Sequence, residues 1–130
     1  IDLYIKDNTD FKKKEKLIEN FYRSEIKKQI PNLLDKWEKI IDIDVNEVRI
    51  KKMKTKWGSC NPKEKRIWLN LELAKKPLHC IEYVIVHEMI HFIEKNHSDK
   101  FRHLIGLHLP QWEQYKKELN NSILSYSNWK

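Results

Sequence analysis

The residues able to do chemistry lie together in "YVIVHEMIHFIEKNH", the most apolar stretch of a polar chain: His87, Glu88 and His91, with His97 closing the segment. Residues four apart on a helix project about 40° apart on one face and one turn along the axis, so His87 and His91 can share an ion. Glu88 occupies the adjoining face. This H-E-x-x-H spacing suits Zn²⁺, with two neutral imidazole nitrogens at about 2.0–2.1 Å and the glutamate directed at a water instead of the metal. Burying a lone carboxylate costs several kcal/mol unless something compensates, which argues against a helix selected for packing alone. A dication nearby removes that cost.

Two protein ligands hold zinc poorly, so a third is expected. His97, six residues beyond His91, follows the point where the helix should end, and a chain turning back there would present it. Glu113 on a later helix is the rival, and His103 and His108 are further candidates. Three neutral ligands leave the metal's double charge intact with one position open, which draws the pKa of water there towards roughly 7. Glu88 would then serve as general base, with one Zn²⁺ expected per chain.

The elements that must position these groups are legible in the periodicity. Residues 10 to 41 carry apolar side chains at helical spacing, with Pro31 expected to divide the helix or kink it near Gln29. Residues 47 to 57 alternate, lose phase near Lys51-Lys52 and resume, as a strand with a bulge would. "NPKEK" reads as a turn, and "RIWLNL" (66 to 71) as a second strand. Pro77 opens a buried helix expected to reach about Lys95. Ser98 is placed to cap a helix from Asp99 to Leu109, and Pro110 to open a last one through Leu119. The expected fold class is α+β: a small antiparallel sheet packed on a helical body, with the H-E-x-x-H helix central and the cleft between it and the sheet.

Bulk properties narrow the function classes. At 130 residues the chain fits one domain, 1 to 130. A hydrophobic fraction of 40% with five tryptophans supports a packed core despite 35% charged residues. Two cysteines without C-x-x-C spacing indicate reduced thiols, as in a cytoplasmic protein, and neither a disulfide framework nor a cysteine zinc ribbon. No apolar run is long enough for a membrane helix. With glycine only at 58 and 106, phosphate loops and dinucleotide fingerprints are excluded.

Four separated stretches, "KTKWGSC" (54 to 60), "IWLNLEL" (67 to 73), "IEYVIVHEMIHFIEKNHSDKF" (81 to 101) and "LPQWEQYKKEL" (109 to 119), together resemble the YgjP-like metallopeptidase domain, a zincin-like group related to the SprT- and Wss-type proteases. The resemblance spans about the last two thirds of the chain. It implies zinc held by His87, His91 and His97, with Glu88 as catalytic base. Two positions depart from the usual pattern: Arg102 follows Phe101 where tryptophan is common, and Lys56 precedes the W-G-S-C element where arginine is frequent. Family members usually carry an additional N-terminal β-rich part, which a chain beginning at Ile1 would lack.

Further residues have candidate roles. Trp57 either walls the cleft or covers the core, and Asn70 is a candidate substrate contact on the strand Arg66 to Leu71, which as an edge strand would hold an extended peptide. Cys60 is a packed thiol or an occupant of the metal's open position. Arg102 and His103 stand behind the metal as candidates for stabilising an oxyanion. "RIKKMKTKW" admits nucleic-acid binding, though lysines guarding a solvated strand are the preferred reading. The expected function is peptide-bond hydrolysis on a peptide or protein substrate. The alternatives are a metal-stabilised basic binding module for nucleic acid or protein, and a hydrolase of other amides or esters.

Overall fold

A computed structural model describes residues 8–121 of the chain. The two ends of the 1–130 domain lie outside the described residues. Helix α1 (Asn8–Ile41) is continuous through Pro31 and is neither divided nor ended there. Proline removes one amide donor, which orphans a carbonyl one turn back. Pro31 and Lys27 both lie on the exposed face, so water can satisfy that group. The opposite face, Ile26, Ile30, Leu33 and Trp37, is buried at spacings of four, three and four.

Three short strands follow: β1 (Glu47–Lys51), β2 (Gly58–Asn61) and β3 (Arg66–Asn70). Their order is β1-β3-β2, with β1 parallel and β2 antiparallel to β3. The sheet is therefore mixed, not purely antiparallel, and the expected bulged strand 47–57 does not form. The loss of phase at Lys51-Lys52 marks where the chain leaves the sheet, passes the end of β3, and returns on its other side as β2. Asn70 secures this crossing: its Nδ2 donates to the carbonyls of Met53 (3.1 Å) and Lys56 (2.8 Å), and its backbone N–H donates to Trp57 O (3.0 Å). The turn between β2 and β3 is the one expected. Asn61 Oδ1 accepts from the amides of Lys63 and Glu64, and Lys65 adopts φ 51°.

A short 3-10 helix, Leu71–Lys75, leads from β3 into α2 (Leu78–Ile90). Every residue of α2 from Tyr83 to Ile90 is buried, so this helix lies between the sheet and the other helices. Its aliphatic side chains each contribute roughly 1.5–3 kcal/mol on burial. Glu82 ties it to α1, its Oε2 accepting from Trp37 Nε1 (2.9 Å) and Lys36 Nζ (3.0 Å). Helix α2 ends at Ile90, earlier than the expected Lys95; the chain then tightens through turns, with Phe92 N–H on Met89 O and Ile93 N–H on Ile90 O. Helices α3 (Asp99–His108) and α4 (Trp112–Asn120) close the body, α3 capped as expected by Ser98 Oγ accepting from Phe101 N–H (3.3 Å).

Candidate active site

His87 and Glu88 sit in the last turn of α2, at 4% and 3% exposure. His91 is the residue that caps the helix, yet its φ −63° and ψ −17° remain helical, so the four-residue relation to His87 survives the early end. The turns after His91 bring His97 back towards both. The three imidazoles converge through their Nε2 atoms: His91 to His97 is 3.0 Å, and His97 to His87 is 3.2 Å. Phe101 packs against all three rings, with centroids 5.0, 4.6 and 4.7 Å from His87, His91 and His97. The Ser98 cap thus orients the helix whose buried Phe101 forms the floor under the cluster.

The far ring nitrogens are committed elsewhere. His91 Nδ1–H donates to Glu94 O at 3.1 Å, and His87 Nδ1–H to Glu88 Oε2 at 2.9 Å. These bonds leave the Nε2 lone pairs of His87 and His91 facing the common centre. Converging acceptors repel unless a cation, or a proton donated by one ring, lies between them. Tetrahedral zinc with nitrogens at about 2.0–2.1 Å separates its ligands by about 3.4 Å, within a few tenths of the distances here, so the donor set fits the metal. Burial, reinforced by the positive charge of Lys116, pushes His87 down to about 3. The imidazole is neutral, as a ligand must be.

Glu88 has a second partner that sequence reasoning missed. Cys60, on β2, donates its thiol proton to the Glu88 carboxylate; burial first, then the charge of Glu88 and this hydrogen bond, push the thiol up to about 12. Tyr83, fully buried with its ring 5.8 Å from that of His87, is pushed upward by burial and by Glu88. The quoted motifs contained both residues, but neither has a spacing that marks it, because their contacts are made across elements.

An open groove of about 950 Å³ runs between β2 and the segment His91–His97, with Glu88 in its wall. A smaller cavity of about 360 Å³ lies on the other side of His97, with Arg102 and Lys116 among its walls. Trp57 and Asn70 line neither. Trp57 is 1% exposed and belongs to the core, and Asn70, fully buried, serves the crossing loop and also caps the 3-10 helix by accepting from Glu72 N–H at 3.0 Å. Glu113 and His103 are exposed, and the His108 ring packs edge-on to Trp37; none joins the group of ligating atoms formed by His87, His91 and His97. No helix among the described residues is long and apolar enough to cross a membrane.

A small mixed sheet beside a buried H-E-x-x-H helix is a zincin-like, α+β architecture, and solved structures support that class. The metallopeptidase zymogen abylysin of Pyrococcus abyssi superposes with a TM-score of 0.66 at 18% identity, over 73% of this chain and 95% of that one. The metallopeptidase zymogen jannalysin of Methanocaldococcus jannaschii gives 0.60 at 25% identity, over 69% and 92%. No curated protein sequence matches significantly. The profile of the YgjP-like metallopeptidase domain matches residues 1–122, and the chain belongs to this family of zinc metallopeptidases.

Proposed function

We propose that the protein hydrolyses peptide bonds at the centre formed by His87, His91 and His97, with Glu88 as general base. The convergence of three Nε2 atoms beside a buried carboxylate at the wall of an open groove carries this reading. These three histidines would hold zinc, which supplies Lewis-acid polarisation of the scissile carbonyl and a lowered pKa for the attacking water. Glu88 takes the proton from that water and delivers it to the departing amine. Its hydrogen bonds with Cys60 and the His87 ring fix the carboxylate before substrate arrives. Phe101 packs against all three rings, and Glu88 with His91 and His97 lines the groove, so base and ligands face the space in which a substrate would lie.

The substrate strand is assigned to β2 and not to 66–71. Residues 66–70 form the central strand, paired on both sides, whereas β2 is an edge strand and lines the groove. An extended peptide added to that edge lies across the histidines, its main-chain groups bonded by the strand. The deciding experiment is cleavage of a peptide library by wild type and Glu88→Gln side by side, with zinc measured in both. The expected result is full zinc occupancy in each and a loss of turnover of about 10²–10⁴-fold in the variant. Equal turnover would remove Glu88 from the role of base.

A further inference from the structure

The exposed charged side chains that line the spaces around the metal centre are cationic. Lys56, Lys63 and Lys95 rim the groove, and Arg102 and Lys116 stand in the cavity beyond His97. The only carboxylate lining either space, among the described residues, is Glu88, which is buried beside the histidines. Elsewhere the protein places acids next to its bases: Lys28 with Glu25, Lys36 with Glu82, Lys39 with Asp35, Lys52 with Glu19 and Lys75 with Glu72. The three groove lysines are exposed and form no ion pair among the described residues. Arg102 does pair with Asp99, itself fully exposed, across 3.2 Å.

The placement of these cations is specific to the strand that would receive substrate. Lys56 lies two residues before β2 and Lys63 two residues after it, with Lys95 across the groove on the segment leading to His97. At about 3.3 Å per residue the four residues of β2 span roughly 13 Å, the reach of a four-residue substrate strand. Between the charged ends, Phe92 and the half-exposed Ile93 offer an apolar wall. Resting on the reading of the site as a peptidase, we propose that the enzyme selects acidic peptides: extended segments with Asp or Glu on both sides of the scissile bond and an apolar residue between.

A polyanionic nucleic acid would meet the same charges. Apart from the imidazoles of the ligand set, the groove offers it one ring, Phe92, for stacking and leads to a buried carboxylate, whereas a peptide finds an edge strand to pair with. Peptide is therefore the assigned ligand.

The test is kcat/KM for three matched peptides sharing an apolar centre, flanked by glutamates, serines or lysines. The expected order is acidic, neutral, basic, with about a tenfold advantage of acidic over neutral from several exposed pairs acting together, and the advantage narrows as salt is raised. The Lys63→Glu/Lys95→Glu variant should reverse the order. Lys12→Glu/Lys13→Glu, which makes the same change in net charge on the exposed face of α1, should keep it. Binding of the fluorescein-labelled peptides to zinc-loaded Glu88→Gln reads the same order without turnover, so a protein that failed to cleave would still report the preference. Equal values for the three peptides, reversal by both double variants, or an oligonucleotide that displaces the acidic peptide at lower concentration than the unlabelled peptide itself would overturn the proposal.

Discussion

A Cβ placed on Gly58 would lie 2.6 Å from Val84 Cγ1, so β2 approaches α2 more closely than any side chain permits. The backbone at Gly58 has no positive φ, and the demand for glycine comes from this approach alone. Val84 is fully buried and β-branched, with little freedom to turn aside, and the Trp68 carbonyl stands 3.3 Å away on the other flank. Gly58→Ala should therefore cost about 1–3 kcal/mol through overpacking. By pushing β2 away from Glu88 it should also lower kcat/KM, by up to about a hundredfold for a displacement near 1 Å. Gly106→Ala provides the contrast, since its Cβ would meet nothing closer than 3.6 Å within a helix. Denaturant midpoints should show that change neutral or stabilising by about 0.5–1 kcal/mol.

The ligand set makes a separable prediction. In His97→Ala, zinc affinity should fall by at least about a hundredfold, while Glu113→Ala, altering an exposed residue of α4, should retain one zinc per chain. Thermal unfolding gives a second readout. Zinc at a hundredfold excess over its Kd should stabilise the wild type by about 2.7 kcal/mol and leave His97→Ala nearly unmoved at the same concentration. A zinc-dependent shift that survives in His97→Ala and vanishes in Glu113→Ala would transfer the third position to the glutamate.

The difference between what was legible and what was not follows the range of the interactions. The helical relation of His87 to His91, the Ser98 cap and the turn after Asn61 are decided within a few residues, and the fold has them as the sequence implies. The approach of His97 to His87 and His91 was accessible for a similar reason, because it follows the helix end by a short, constrained path. The sheet was not legible: alternation before and after Lys51-Lys52 looks like one strand, and only the hydrogen bonds of Asn70 to the loop 53–57 reveal that the chain crosses β3 and reverses its pairing. The continuous α1 depended on solvent reaching the carbonyl that Pro31 orphans. The contact of Cys60 with Glu88 required the placement of β2, which periodicity could not supply.

Asn70 offers a test of that distinction. Its side chain donates twice and accepts once, entirely within the fold, at zero exposure. Asn70→Ala leaves two loop carbonyls and the Glu72 amide, all only partly shielded from water, without this partner, and losing a bond of this kind costs about 1 kcal/mol each. The expected outcome is a loss of about 3 kcal/mol in denaturant unfolding. For a site that Asn70 does not enter, KM per folded molecule should remain within about twofold. A raised KM with unchanged stability would instead return Asn70 to the substrate.

Thiol chemistry gives the last prediction, and its sign can be worked out from burial. Cys80 is fully buried and pushed up to about 11, by burial and then by the charge of Glu118, which outweigh the opposing charge of Lys76; Cys60 is pushed up to about 12. The fold thus holds protons that an unfolded thiol releases near pH 9.0. Their contribution to stability is complete below that pH and is lost as pH rises through 11 to 12. Chemical denaturation across this range should show a steeper alkaline decline in the wild type than in Cys60→Ala/Cys80→Ala. Cys60, although partly exposed at the groove, should also alkylate slowly in the native protein: a thiol raised from 9.0 to about 12 holds on the order of a thousandfold less thiolate at neutral pH. Rapid alkylation of native Cys60 at neutral pH would show that its proton is not held by Glu88, and would remove the thiol from its place in orienting the base.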